Sequence, residues 1–313
     1  MTALAPATVL RLGTRRSALA MAQAAFVAEA LAQHGREVEL VGVTTEGDRS
    51  SAPLTDSGGV GVFVTELRAR LLAGEVDIVV HSLKDLPTAA AHGLVVAAVP
   101  PRADARDALV ARDQFTLATL PSGASVGTGS PRRAAQLRAA RGDLNVRPVR
   151  GNVDTRLGKV ASGEFDAIVV AAAGLARLGR LAEASELLDP DVMLPAPGQG
   201  ALAVECRAAD AEPGARLHDL LAGLDDFPSR AAVVAERTLL AELEAGCTAP
   251  VGAYAEQVSA QDLHLVAAVV SVDGATAIRG SATGPVTDAE GLGRRLAAEL
   301  LTAGAAAVIG GRS

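Results

Sequence analysis

The chain has 313 residues, 49% of them hydrophobic and 21% charged, with a formal net charge of −7. That length suits two or three cored domains, and the composition excludes a disordered chain. The acidic balance and the scarcity of aromatics, with no Trp, one Tyr and five Phe, argue against nucleic-acid binding; no apolar run approaches the roughly 20 residues of a membrane-spanning helix.

VLRLGT (9–14) reads as a strand, and Ser17 is placed to cap a helix that runs to about His34, where Gly35 ends it. The start of this segment, RRSALAMAQ, mimics a twin-arginine export signal. Gln23 and Glu29 interrupt its apolar stretch, however, and Leu19, Phe26, Val27 and Leu31 fall on one face of an amphipathic helix. REVELVGVTT (36–45) is a second strand, the Gly/Ser/Asp-rich stretch 46–61 is a loop, and FVTELRARLLAG (63–74) is the next helix. VDIVVHS (76–82) has the continuous apolar character of a parallel strand buried on both faces. It ends on His81, Lys84 and Asp85 before a turn at Pro87.

The pattern then repeats. ASVGTGSPRRAAQLRAARG (124–142) predicts strand, tight loop and helix, with Pro131 at the first helical position. GEFDAIVVAAAGLARL (163–178) echoes GEVDIVVHSLKDLPT (74–88), so Asp166 answers to Asp77, while Ala173 and Gly174 stand where the first unit has Lys84 and Asp85. Two such α/β units predict two lobes, whose ligands sit beyond the carboxyl ends of strands where helix N-termini point. The charged loop assigns the reactive chemistry to the first. From about Ala222 a helix leads into Cys247, and the segments 251–258, 263–272 and 277–284 read as hairpin-linked strands before a last helix over 288–304. That grouping predicts a small α+β domain.

Arginine supplies 27 of the 29 basic residues, the others being Lys84 and Lys159. The arginines gather at loops, as Arg15 with Arg16, Arg132 with Arg133, Arg147 with Arg150, and Arg156. The first two pairs flank Ser17 and Ser130, where backbone N–H groups, a hydroxyl and a guanidinium make an anion pocket. Repeated pockets imply a ligand with several carboxylates, which arginine meets bidentately. Asp85 is the natural acid–base candidate, placed to stabilise a developing cation and relay protons. The two cysteines make no disulfide framework and no zinc spacing, which favours a reducing, cytoplasmic compartment. Cys206 reads as core. Cys247, in the turn EAGCTAP, is a thiol positioned to bond covalently.

Taken together, RLGTRRSALAMAQ, GGVGVFVTEL, HSLKDLPT, GTGSPRRAAQL, VRGNVDTRLGK, LPAPGQGALAVECR and AERTLLAELEAGC resemble the porphobilinogen deaminase (hydroxymethylbilane synthase) family, in the family's order and over nearly the whole chain. The resemblance implies a monomeric transferase of tetrapyrrole (haem) biosynthesis. It condenses four porphobilinogen molecules head to tail, releasing ammonia each time, to give hydroxymethylbilane. It also implies a dipyrromethane cofactor joined by a thioether to Cys247. Lys84, Ser130, Arg132, Arg133, Arg150 and Arg156 would hold that cofactor or the growing chain. Arg15, Ser17, Gln23, Thr128 and Gln199 would line the incoming-substrate site, and Asp85 would work on the pyrrole nitrogens. The implied architecture is two periplasmic-binding-protein-like α/β lobes plus a small C-terminal α+β domain: 1–102 with 198–221, then 103–197, then 222–313. Val60 stands where many members carry a loop lysine, and SALA replaces the commoner SPLA at 17–20. The competing readings are a non-catalytic, two-lobed carboxylate-binding protein and a cysteine hydrolase using His81 or His264.

Overall fold

The computed structural model describes residues 9–44, 61–245 and 249–310, with the side chains of 61–63 set aside. By contact the chain divides into two compact units, Met1–Arg102 with Ala201–Arg230, and Ala103–Gly200 with Ala231–Ser313. Among the described residues the strands form three sheets.

In the first unit, strands β1 (Leu10–Arg15), β2 (Val38–Val43), β3 (Ile78–Ser82), β4 (Leu94–Ala98) and β10 (Leu202–Arg207) lie in the order β2-β1-β3-β10-β4. β1 runs parallel to β2 and β3, and β10 is antiparallel to β3 and β4. Helix α1 (Ala18–Gln33) covers one face, burying Ala24, Val27 and Leu31 against Leu12, Ile78 and Val80. Helix α2 (Gly61–Leu72) covers the other, placing Leu67 and Leu71 with Val43, Val76 and Val79. Ile78, Val79 and Val80 of β3 are therefore all apolar because both faces are packed there. The expected loop over 46–61 lies outside the described residues except for Gly61, where α2 already begins, two residues before the expected start.

The second unit repeats the scheme. Strands β5 (Asp107–Ala111), β6 (Ser125–Gly127), β7 (Asn145–Arg147), β8 (Ala167–Ala171) and β9 (Glu186–Leu187) take the order β7-β6-β8-β5-β9. The correspondence reaches single atoms. Asp77 accepts the N–H of Arg11 at 2.9 Å and donates its own N–H to the Arg11 carbonyl. Asp166 does the same with Ser125, accepting its N–H at 2.8 Å. Each aspartate pins the start of its strand to the strand beside it, so the sequence echo is a structural one. Helices α3 (Pro131–Ala140) and α4 (Val153–Ala161) complete this layer.

The C-terminal segment forms an antiparallel sheet of β11 (Val251–Gln257), β12 (Asp262–Val270) and β13 (Ala277–Pro285). Leu263, Leu265, Ala267 and Val269 face a core shared with helices Phe227–Glu242 and Ala289–Thr302. On the opposite face, Ala268 and Val270 meet Ala135 of α3 and Leu194. The last helix stops at Thr302 and Gly304, at φ +99°, turns the chain into a further short helix, Ala305–Gly310, that the sequence did not suggest. None of the helices among the described residues is long and apolar enough to cross a membrane.

Candidate active site

The first unit brings several of the expected residues to the carboxyl ends of β1 and β3. After β3 the chain makes a single 3-10 turn, Leu83–Asp85. Leu83 and Leu86 are buried at 2% and 1% exposure, and the Leu86 N–H closes the turn on the Leu83 carbonyl at 3.1 Å. The Leu83 N–H is bonded to the Ala201 carbonyl at 3.0 Å. Two apolar anchors thus bracket Lys84 and Asp85, and both are half-buried. Arg15 closes β1 and is half-buried. Ser17 is the N-cap of α1, its hydroxyl accepting the Ala20 N–H at 3.3 Å. Gln23 is buried and donates to the Ser82 hydroxyl at 2.8 Å, so its amide braces the end of β3.

The second unit gathers the other group around a carboxylate that the sequence reading missed. Asp107, at the start of β5, is fully buried. It accepts from Arg132 at 2.8 Å, from Arg133 Nε and Nη2 at 3.0 and 2.7 Å, and from the Gln199 amide at 2.8 Å. Burial alone would raise its pKa, but the charges of Arg132 and Arg133 outweigh that and hold the carboxyl below its ordinary range. Arg133 also donates to the Val169 carbonyl and to the Gln199 amide oxygen. Arg132 also donates to the Leu194 carbonyl, yet its buried Nε meets no acceptor among the described residues. Ser130 caps α3 by accepting the Arg133 N–H, and the Thr128 hydroxyl accepts the Ser130 N–H at 3.2 Å. A side chain at Gly129 would place its Cβ 2.9 Å from the Val149 carbonyl and 3.8 Å from Arg156 Nη2, which keeps that position bare.

The remaining arginines differ in kind. Arg150 is exposed on the segment before α4. Arg156 is half-buried and donates to the Gly151 carbonyl at 2.8 Å; desolvation and the like charge of Arg133 lower its pKa. Arg177, which follows β8 and was not singled out in the sequence, donates to the Gly200 carbonyl at 2.6 Å. Burial presses its pKa down to about 10, and no carboxylate among the described residues forms an ion pair with it. One carboxylate therefore faces Arg132 and Arg133, while Arg156 and Arg177 have none among the described residues. Half-buried cations without counter-ions, and an orphaned Nε, fit a ligand that brings its own carboxylates. This is the fit a dipyrromethane bearing acetate and propionate groups requires. Cys247 lies outside the described residues.

The histidines are committed elsewhere. His81, 5% exposed at its side chain, lies 3.2 Å from Glu205, and His264 is bonded to the Thr283 hydroxyl at 2.9 Å. Cys206 is buried, and burial pushes its thiol up to about 11, which leaves it inert.

Comparison with known proteins follows the same lines. A family model described as porphobilinogen deaminase, dipyromethane cofactor binding domain, matches residues 10–214, and one described as porphobilinogen deaminase, C-terminal domain, matches 231–302. A porphobilinogen deaminase of Acidothermus cellulolyticus is 61% identical over 97% of this chain and 92% of that protein. Those of Thermobifida fusca and Mycobacterium tuberculosis H37Rv are 57% and 58% identical, over 96% and 95% of this chain and 96% and 97% of theirs. Among solved structures, a periplasmic substrate-binding protein of an ABC transporter from Coxiella burnetii matches 73% of this chain and 97% of that one, at 15% identity and a TM-score of 0.44.

Proposed function

Since the chain belongs to the porphobilinogen deaminase family and polymerises porphobilinogen to hydroxymethylbilane with release of ammonia, we propose that Asp85 is the group that manages its charges and protons. The observation that carries this is a half-buried carboxylate fixed on an anchored turn at the mouth of a central parallel strand.

Loss of ammonia from the aminomethyl group leaves positive charge on the substrate pyrrole. A carboxylate accepting the pyrrole N–H stabilises that charge as it develops, and a fixed turn makes it available without reorganisation. The same carboxylate, after the new carbon–carbon bond, is placed to take the proton that the joined ring must lose. When bound, the dipyrromethane supplies the nucleophilic pyrrole carbon to which the first unit is joined. Cys247 would carry it as a thioether. Lys84, Arg150 and Arg156 would hold its carboxylates, and Arg177 would join them. Arg132 and Arg133 supply positive field at the N-terminus of α3, with Asp107 balancing one of their two charges and Ser130 fixing the helix start. Arg15, Ser17, Gln23, Thr128 and Gln199 shape the substrate side, Gln23 through its bond to the Ser82 hydroxyl and Gln199 through the Ala105 carbonyl and Asp107. Residues 1–102 with 198–221, 103–197 and 222–313 act as three domains of a cytoplasmic monomer. The alternative of a non-catalytic binding protein leaves Asp85 and Cys247 without work.

Holoenzyme turnover of porphobilinogen tests the assignment. Asp85→Ala folds and keeps the cofactor but loses roughly 10²–10⁴ in kcat, the usual contribution of a positioned acid–base group. Turnover near the wild-type rate would remove Asp85 from this role.

A further inference from the structure

β3 is supported unevenly along its length. Its pairing with β1 covers only Ile78 and Val79, opposite Leu12 and Gly13. Beyond Val79, among the described residues, the strand's registered partners lie on the β10 edge, where Ser82 and His81 oppose Leu202 and Ala203. The half of β3 that leads into Lys84 and Asp85 is therefore the half with the weaker ladder.

Side chains brace it instead. On the α1 face, Ser82 is tied to Gln23. On the α2 face, His81 Nε2 lies 3.2 Å from Glu205 Oε2, and Arg68 of α2 grips the same carboxylate through Nε at 3.1 Å and Nη2 at 2.7 Å. Glu205 sits inside the apolar strand LAVEC, with its side chain 2% exposed. Burial would raise its pKa, but His81 and the Arg68 guanidinium beside it hold it down at about 2, so it is a permanent anion. Its neighbours on that face, Val76, Val79, Leu67 and Leu71, are all apolar. A buried charged cluster contributes less to stability than an apolar one of the same volume, and its best-attested use is to fix a register.

We propose that Arg68, Glu205 and His81 are positioning residues, a buried strut that sets where the Asp85 carboxylate stands by fixing the half of β3 that is laddered to β10. The strut touches no substrate and rests on the reading of Asp85 given above. Its effect reaches the reaction through four residues of backbone, from His81 to Asp85. A displacement of about 1 Å at a reacting group is enough to cost about 10²-fold in rate.

The test replaces the strut with apolar side chains of similar volume, Arg68→Met with His81→Leu and Glu205→Met, in the holoenzyme. This variant folds with its cofactor in place, and its kcat falls roughly 10- to 100-fold while KM stays within about twofold, as expected when only transition-state geometry is lost. A folded triple variant with wild-type kcat overturns the proposal. Should the triple variant fail to fold, His81→Gln and His81→Leu decide. Gln presents an amide N–H near the position of Nε2, so it restores kcat that Leu loses; equal rates in the two overturn the strut. Wild-type protein without porphobilinogen turnover would overturn the reading of Asp85 and the strut together, whereas active wild type with indifferent variants removes the strut alone.

Discussion

Glu205 and Glu236 are acids set inside the apolar segments LAVEC and VVAERTLL, Asp107 opens the segment DALVA, and each is buried. Such a residue survives only if partners satisfy it. Asp107 holds Arg132 and Arg133, Glu205 holds Arg68 and His81, and Glu236 accepts the N–H groups of Gly198 and Ala255 at 2.6 and 2.8 Å. The sequence carried a signal for Glu205 and Glu236, a carboxylate interrupting a core run, but it named no partner, and Asp107 at the edge of its run carried none. Asp107→Asn leaves two buried guanidiniums with excess charge and costs about 3–5 kcal/mol in denaturant unfolding. Asp104→Ala, which breaks the half-exposed pair with Arg106, costs about 0–1 kcal/mol. Equal costs would mean that the Asp107 cluster is not a true ion-pair core. Glu205 also makes stability depend on pH. Its carboxyl titrates near 4.5 in the unfolded chain and at about 2 in the folded one. Its contribution is complete above that unfolded value and disappears as pH falls towards 2. The stability gap between wild type and Glu205→Gln is therefore large at pH 6 and shrinks below about pH 4. Denaturant midpoints at pH 6 and pH 3 measure it, and a constant gap would contradict the assignment.

Helix starts and the apolar strands are local chemistry, and at the scale of elements they were readable. Ser17 and Ser130 cap α1 and α3 as their spacing predicts, Pro131 opens α3, and Gly35 turns away after α1 at φ +73°. Ser17→Ala and Ser130→Ala each cost about 0.5–2 kcal/mol in thermal or denaturant unfolding. A loss confined to activity would mean that the hydroxyls serve ligand rather than helix. The three C-terminal strands also lie where the alternation placed them. What stayed hidden was long-range. Strand β10 slots between β3 and β4 from far along the chain, and β9 is only two residues, too short for any pattern. The roles of Gln23 and Gln199 were equally hidden, because an amide bonded to Ser82 or Asp107 inside the fold looks in sequence like one that faces a ligand.

The repeat GEVD/GEFD announced two related lobes at the scale of the whole molecule, and the matching strand orders with the twin Asp77 and Asp166 contacts give that echo its physical content. The lobes then diverge in chemistry. One presents Asp85 on an anchored turn, and the other presents guanidinium groups that outnumber the carboxylates near them. The charge imbalance was half legible. Arginine clustering pointed to carboxylate recognition, but only coordinates distinguish Arg133, spent on Asp107, from Arg156 and Arg177, which are not. An enzyme so arranged is incomplete without an acidic group fixed to it. Intact-protein mass of active, purified enzyme measures this directly. The mass predicted here exceeds that of the polypeptide by two pyrrole units, and Cys247→Ser returns it to the polypeptide value with loss of turnover. A fully active protein at the bare polypeptide mass would contradict the account.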